Sequence, residues 1–474
     1  MTPKPFGLLL AAALTLSAGA AERGAEEPRA LGLETVVDLA LEQNAALRAE
    51  TARRAEVAGG VDEAAADAWP EVDLVASWNR SRNPALLNSP DFEDIVDLFP
   101  DFEPGEQELW SLAVEVEQPI YSGGKVRAAL ELAELAVDIT DAQIRAAELD
   151  TALDAAELYY RLLAALAEAE TVDAQEAARR ASLDVVDARY ELGEATELER
   201  LRAVAALEEV GPVAADVTGR IAVARSRLKA ILGLDPRTPI EVHGGETRQG
   251  AKPPTFDALL DVARGRRPEL ADLRLQIDAL ARQRTVTRAD GRPQLDLTGA
   301  YGRQVRLLEN LDDPLFADWR VTVGFSWNLF DGGRRAGQVA QLDSQRDQLR
   351  WRLLDLERTV AFEIQERLVA YDTALRRRTA ALSAARAAGE AARVAQESYR
   401  LGVALQADLL DAQDQAVRRQ LAADDAELDV RIQAARLRRA VGLLPTEALA
   451  APPGPSSTQN PATPSPSTPE EGAP

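Results

Sequence analysis

The stretch Ile120-Tyr121-Ser122-Gly123-Gly124 decides the fold, because it recurs as Leu329-Phe330-Asp331-Gly332-Gly333 about 209 positions further along the chain. Other pairs keep the same offset, namely Trp110 with Trp319, Tyr190 with Tyr399, and Gly193 with Gly402. Helical composition alone does not hold aromatic residues and glycines in one register over this distance. The sequence therefore predicts two internal repeats, residues 22–234 and 255–445, joined by a linker at residues 235–254.

Alternating segments precede each Gly-Gly pair. Apolar residues recur at every second position, which is typical of strands with one apolar face. The predicted strands span residues 70–82, 109–120, 293–304 and 319–330. A half-buried sheet on a soluble domain alternates in the same way. The strand lengths, close to the roughly 9 to 11 residues that cross a bilayer, and the Trp and Tyr residues along them favour a membrane β-barrel. Because about eight strands is the smallest closed barrel, four strands require several copies of the chain.

A long helical pattern follows each Gly-Gly pair, with apolar residues at steps of three and four, as in coiled coils. It predicts helices over residues 123–192 and 332–401, each about 100 Å long. Shorter helical segments, at residues 34–68, 195–234, 255–290 and 404–443, would stack in pairs to match the length of a long helix. We therefore expect a mainly α fold with four helical columns per chain and a membrane β-barrel part.

The two ends and one insertion differ from this pattern. Residues 1–21 combine a positive charge, a short apolar run and small residues, which indicates a signal peptide. Residues 446–474 are rich in Pro, Ser and Thr and are expected to be disordered. An acidic insertion at residues 91–108 separates the first two strands, and we interpret it as a solvated extracellular loop rather than a cation site.

Two motifs together resemble those of the TolC-type outer membrane efflux proteins. Gln118 to Lys125 and Trp327 to Arg334 are similar to the family's strand-to-helix turn, which centres on Gly123, Gly124, Gly332 and Gly333. Tyr399 to Ala404, followed by Asp408 to Gln413, is similar to its periplasmic tip. The resemblance covers about residues 34–443.

This resemblance implies a homotrimer in outer-membrane lipid, with one twelve-stranded barrel joined to a periplasmic α-helical tunnel. It also implies two partners, a periplasmic adaptor (membrane fusion) protein and an inner-membrane transporter. The expected function is the exit duct of a tripartite efflux or type I secretion system, a passive conduit that these partners open at its tip. The alternative is a periplasmic coiled-coil scaffold or adaptor without a pore.

The resemblance also assigns residues at the tip. Asp408 and Asp411 lie three positions apart, on one helix face, and correspond to the family's tip constriction together with Tyr399. Three copies would form carboxylate rings that favour cations, although such spacing alone is more typical of a solvated acidic face. Ala404 and its counterpart Ala195 stand where some relatives have an arginine that ties the closed tip, so Arg400 or Arg202 would have to substitute.

The two helix reversals are the expected adaptor contacts, because each exposes backbone where two helices meet. Glycine at such a reversal also serves as an ordinary helix C-cap. The residues assigned to adaptor contact are Gly193, Glu194, Ala195, Thr196, Gly402, Val403, Ala404 and Leu405.

Composition argues against several other functions. The net charge of −24 disfavours nucleic acid binding. A chain with one histidine, His243, and no cysteine offers few ligands for a transition metal. No nucleophile and base stand in a recognisable arrangement, so we expect no enzymatic activity, no metal and no cofactor. Nothing in the sequence specifies the cargo.

Overall fold

The computed structural model describes residues 29–82, 106–244 and 254–449. The predicted signal peptide, residues 91–105 of the acidic loop and most of the predicted C-terminal tail lie outside these ranges. The elements of the first repeat are β1 Arg29–Leu31, α1 Leu33–Gln43, α2 Ala45–Ala66, β2 Glu71–Arg82, β3 Glu106–Tyr121, α3 Lys125–Glu191, α4 Glu197–Glu208 and α5 Val210–Ile231. Those that follow are β4 Ile240–Val242, α6 Phe256–Arg266, α7 Pro268–Ala289, β5 Gln294–Val305, β6 Ala317–Ser326, α8 Arg334–Arg400 and α9 Gln406–Ala440.

Four long strands form one antiparallel sheet in the order β2-β3-β5-β6. The register places apolar residues opposite one another, including Leu74 opposite Val114 and Tyr301 opposite Trp319. One face of the sheet is therefore apolar, and its side chains are exposed on every strand. Two strands differ from their predicted ends by more than one residue: β3 begins at Glu106, inside the expected acidic loop, while β6 runs from Ala317 and ends at Ser326.

The helices α3 and α8 are the two long helices, and each contains 67 residues. At 1.5 Å per residue each spans about 100 Å. Both begin directly after a glycine pair, and Gly124 and Gly333 have φ values of 88° and 86°. Only a residue without a side chain adopts this left-handed conformation at little cost. The motif therefore recurs because the same strand-to-helix reversal is made twice.

Each predicted shorter column at the start of a repeat is two helices rather than one. Asn44 interrupts the first with a ψ of 121°, and its Oδ1 accepts the N–H of Ala46 at 2.9 Å, which caps α2. Arg267 interrupts the second with a ψ of 114° and is followed by Pro268 at the first position of α7. The two breaks are equivalent, since Asn44 donates to the carbonyl of Ile231 and Arg267 to that of Ala440.

The predicted linker between the repeats contains a strand that sequence patterns did not indicate. Its strand β4 pairs in parallel with β1 near the N-terminus. The Tyr159 hydroxyl, on α3, donates to the His243 carbonyl at 2.5 Å. Leu31 and Ile240 join a core with Val36 and other buried residues of the first repeat. The described part of the linker is thus packed against the helices.

The predicted C-terminal boundary at residue 446 is too early. The Leu444 N–H donates to Glu447 at 2.6 Å, and Arg438 donates to the Glu447 carbonyl at 2.8 Å. Leu449 packs against the core of the second repeat. Within the three described ranges, no helix combines the length and the apolar character needed to span a membrane.

Candidate functional site at the helix reversals

The first reversal, residues 192–196, joins α3 to α4. Gly193 has a φ of 76°, and the N–H groups of the next two residues donate to the Arg189 carbonyl at 2.8 and 3.2 Å. These bonds close the C-terminus of α3. Thr196 begins α4 with a capping box, since its N–H donates to Glu199 at 2.7 Å and its hydroxyl accepts the Glu199 N–H at 3.2 Å.

The second reversal, residues 401–405, joins α8 to α9 in the same way. Gly402 has a φ of 74°, and the next two N–H groups donate to the Ser398 carbonyl at 2.9 and 3.3 Å. Asp408 accepts the N–H of Leu405 at 3.3 Å, so a carboxylate caps the start of α9. We call the two reversals, with the helix ends that they join, the tip.

The eight residues assigned to adaptor contact all lie on these reversals. Six are exposed, while Ala195 and Ala404 are partly buried. The large apolar side chains exposed on the two reversals themselves are Leu192, Leu401, Val403 and Leu405. Both turns therefore present apolar side chains at the end of the molecule, where backbone and side chains are accessible together.

Arg189 links the two reversals. It lies on α3, yet its Nη1 donates to the carbonyl of Tyr399 at 3.1 Å, and its guanidinium carbon lies 4.9 Å from the centre of the Tyr399 ring. Its Nε lies 3.9 Å from a carboxylate oxygen of Glu194, on the first reversal. One cationic side chain thus contacts the first reversal and the last turn of α8, which sequence patterns did not indicate.

Gln406 forms a second hydrogen bond between the two helix pairs, and here the donor belongs to the second repeat and the acceptor to the first. Its Nε2 donates to the carbonyl of Glu199, on α4, at 2.6 Å. Gln406 is 3% exposed, so this bond is shielded from water. The two helix pairs are therefore held together at the tip by one hydrogen bond from each side.

Tyr399 is buried between these helices, and the structure does not place it with the exposed aspartates. It is 2% exposed and packs with Val186, Ala203 and Leu409. Burial raises the pKa of its hydroxyl. Its counterpart Tyr190 is 41% exposed, so the same sequence motif is buried in one repeat and accessible in the other.

Asp408 and Asp411 are both exposed and lie one turn apart on α9. No salt bridge to either carboxylate occurs among the described residues. Both charges therefore face solvent in a single chain. Arg400, one of the two arginines named as a substitute for the missing one, forms a bidentate pair with Glu397 on its own helix, at 2.7 and 3.1 Å.

A buried polar group lies further along the same helices. The Arg179 side chain is 5% exposed and donates to Gln413 at 2.8 Å and to Asp414. Gln413 in turn donates to the Ser182 hydroxyl at 3.0 Å. Because unpaired buried polar groups are costly, these bonds hold α3 and α9 in one register. The sequence shows an arginine within the pattern of α3, but it does not predict that Gln413 and Asp414 are its partners.

The glycine pairs lie at the opposite end of the long helices, away from the tip. Gly123 has no room for a side chain, since a Cβ there would lie 2.7 Å from the Cβ of Arg292. The Asp331 carboxylate accepts the N–H groups of Gly333 and Arg335 at 2.9 and 3.1 Å and so caps α8. These N–H groups, that of Arg335 most of all, lower the pKa of Asp331.

Comparison with known proteins matches this architecture. A sequence model described as the outer membrane efflux protein family matches residues 36–234 and 259–443. The chain is 24% identical over 417 residues to outer membrane protein OprJ of Pseudomonas aeruginosa, covering 86% of this chain and 84% of OprJ. It is 29% identical over 369 residues to protein CyaE of Bordetella pertussis, covering 76% of this chain and 71% of CyaE.

The fold matches solved structures as well. The outer membrane protein VceC from Vibrio cholerae superposes with a TM-score of 0.70 at 21% identity, over 86% of this chain and 96% of VceC. The predicted fold class, mainly helical with a strand-built membrane part, is confirmed by this likeness. The resemblance noted from the two sequence motifs is confirmed by the family match.

Proposed function

The chain belongs to the outer membrane efflux protein family and is an outer-membrane channel protein of an efflux or secretion system; from this premise we propose that three copies form one exit duct. The observation that carries the proposal is the match to both repeats, because all four long strands and both long helices lie within it. The match to this family argues against the alternative of a periplasmic scaffold without a pore. The printed names of OprJ and VceC describe outer membrane proteins, and we propose no catalytic role.

The sheet supports a shared barrel. The four-stranded sheet leaves β2 and β6 as edges, and closing a barrel removes such edges. The exposed apolar face suits lipid, since contiguous apolar surface of this kind is unfavourable in water. Three copies would supply twelve strands to one barrel, while their helices would form one tunnel in the periplasm.

The tip supports a gate. In the proposed trimer, Asp408 and Asp411 of three copies surround the axis and form two carboxylate rings that favour cations. Tyr399 lies behind them as part of the packing that positions α9. The contacts of Arg189 and Gln406 hold the two helix pairs together in the closed state, in place of the arginine absent at position 404.

We infer the contact with an adaptor protein from the exposed position of the two reversals. Adaptor contact is proposed at the exposed residues of the two turns, where apolar side chains such as Val403 are accessible. An inner-membrane transporter would supply the cargo, and the adaptor would couple the two. Crosslinking from Val403 to a co-expressed adaptor tests the contact, with exposed Glu134 on α3, far from the tip, as the comparison position.

The gate is tested by replacing both aspartates with alanine. Alanine shortens the side chains that narrow the constriction, so we expect higher single-channel conductance in planar bilayers and increased antibiotic leakage into cells. The matched control is Glu134→Ala with Asp138→Ala, which removes two exposed carboxylates from one face of α3. Unchanged conductance and leakage in the aspartate variant would exclude these residues from the constriction. A purified protein that forms no conducting pore would contradict the proposed function itself.

A further inference from the structure

A cavity of about 490 Å³ lies in the helical part of the chain, and its lining comes from residues 170–179 of α3, 385–396 of α8 and 413–420 of α9. We call it the wall cavity, and we propose that it binds a small organic monoanion, an acid group on a compact apolar body, through Arg179. Small-molecule sites have volumes of about 300–1,000 Å³, so the size suits such a ligand. Helices of a single chain form the cavity, and the proposal therefore goes beyond the proposed exit duct.

Small side chains keep the wall cavity open. They come from all three helices, and they are Ala174, Ala178, Ala385, Gly389, Ala392 and Ala416. A Cβ on Gly389 would meet no atom within 4 Å, so neighbouring atoms do not require glycine at this helical position. Glycine inside a helix is destabilising relative to alanine. The space beside Gly389 is thus kept at a cost to the stability of α8.

Arg179 places a buried cation in the lining. Its side chain is 5% exposed. Two of its nitrogen atoms are occupied, since Nη1 donates to Gln413 at 2.8 Å and Nη2 donates to Asp414. Its Nε is buried and has no hydrogen-bond partner within the part of the chain that the structure describes. Because an unpaired buried donor is unfavourable, a ligand oxygen that accepts this N–H would be stabilising.

The buried arginine is not a requirement of the repeated fold. The counterparts of Arg179, Ser182 and Gln413 in the other repeat are Ala388, Ala391 and Val204. The same helical columns are therefore built once with a buried polar group and once with apolar side chains. Buried charged groups can often be replaced by apolar residues without loss of stability. A ligand that accepts from Arg179 accounts for the difference between the repeats.

The charges of the lining differ between its two ends. Arg179 and Arg393 lie at the end nearer the tip, whereas Glu170 lies nine residues before Arg179 on α3, about 13 Å away. Each arginine has a carboxylate partner on the solvent side, since Asp414 is 41% exposed and Glu390 is 62% exposed. Water screens such exposed charges more than a charge inside the cavity. The end nearer the tip is therefore the one that suits an anion.

This lining specifies the class of ligand. An acid group beside Arg179 accepts a charge-assisted hydrogen bond from Nε, and an apolar body then rests on the alanines and on Val417. A second negative charge at the far end would approach Glu170, so a dianion is disfavoured. A neutral molecule of the same shape lacks the charge-assisted bond. The wall cavity therefore selects a monoanion with one apolar part.

The probe is 4-fluorobenzoate, because it combines one carboxylate with one ring and is visible by fluorine-19 NMR. It is titrated with the full-length protein in detergent, and the same detergent without protein is the blank. We expect saturable line broadening, with binding about fivefold or more tighter than that of the neutral 4-fluorobenzyl alcohol. Unlabelled benzoate should displace the probe more effectively than the dianion terephthalate.

Two glycine substitutions on α8 locate the site. Gly389→Leu places a side chain in the wall cavity and is expected to weaken binding of the probe about fivefold or more. Gly337→Leu is the matched control, since a Cβ on Gly337 also meets no atom within 4 Å. It lies 52 residues away on the same helix, about 78 Å, and should leave binding unchanged. Arg179→Gln is expected to reduce the affinity for the probe to that of the alcohol.

The absence of saturable binding to the native protein would overturn the proposal. Equal binding by the Gly389→Leu and Gly337→Leu variants would place the ligand elsewhere and overturn it as well. Equal affinities for the acid and the alcohol would contradict the role of Arg179. Conductance is measured separately, so a protein that conducts but does not bind 4-fluorobenzoate would remove this site and leave the proposed function standing.

Discussion

Single residues at the tip connect two helix pairs that are distant in sequence. Arg189 contacts the ring and the carbonyl of Tyr399 and also approaches Glu194. Hydrogen bonds to charged groups contribute about 1.5–3 kcal/mol, and cation–π contacts about 0.5–2 kcal/mol. In the proposed gate, this arginine on α3 supplies the link that the alanine at position 404 lacks.

Arg189→Gln is expected to loosen this link. A loss of about 1.4 kcal/mol in the closed state corresponds to a tenfold higher ratio of open to closed channels. Open probability in planar bilayers measures this ratio directly. Arg180→Gln is the matched control, since Arg180 is exposed and, within the part of the chain that the structure describes, forms a salt bridge only with Glu176, one turn away on its own helix. An open probability equal to that of the control would show that Arg189 does not hold the tip closed.

The ends of the helices are set by the backbone conformation of a few residues. Both long helices begin after a glycine with φ near 90° and end before a glycine with positive φ. At the C-terminus of α9, a Cβ on Gly442 would lie 2.7 Å from the carbonyl carbon of Arg266 and leave no room for α6. Glycine is thus needed there for both conformation and space.

Gly442→Ala is expected to destabilise the protein by about 1–3 kcal/mol, because a left-handed backbone and a close contact both penalise alanine. Gly265→Ala, inside the neighbouring helix α6, meets no atom within 4 Å and should stabilise by about 0.5–1 kcal/mol. Thermal unfolding in detergent, followed by circular dichroism, measures both. Similar melting temperatures for the two variants would contradict the role assigned to Gly442.

The whole molecule separates an apolar sheet at one end from an acidic tip at the other. On β6 the exposed apolar residues are Trp319, Val321, Val323 and Phe325, and all lie on one face. The opposite face carries Thr298 and other polar or small residues. This division suits a sheet with lipid on one side and water on the other.

Val323→Lys is expected to reduce recovery of the protein in the outer membrane, because a charge facing lipid costs about 2–4 kcal/mol at mid-depth. Thr298→Lys places the same charge on the polar face of the adjacent strand and should have little effect. Quantitative immunoblotting of outer-membrane fractions compares the two. Equal recovery would show that this face does not contact lipid.

The repeat, the strand alternation and the Gly-Gly reversals were predictable from the sequence, because each is a local pattern with a fixed period or spacing. The fold class and the family followed from them. The breaks at Asn44 and Arg267 were missed because the spacing of apolar residues continues across them. Each break consists of an extended ψ angle at a single residue, which leaves the apolar pattern unchanged.

Only the tertiary structure determined how the two repeats meet. Tyr190 and Tyr399 occupy the same motif, yet Tyr399 is buried because α3 and α4 of the first repeat cover it. The contacts of Arg189 with Tyr399 and of Arg179 with Gln413 join residues more than 200 positions apart. Helical periodicity identifies which face is buried but not which helix covers it, so such partners follow from packing alone.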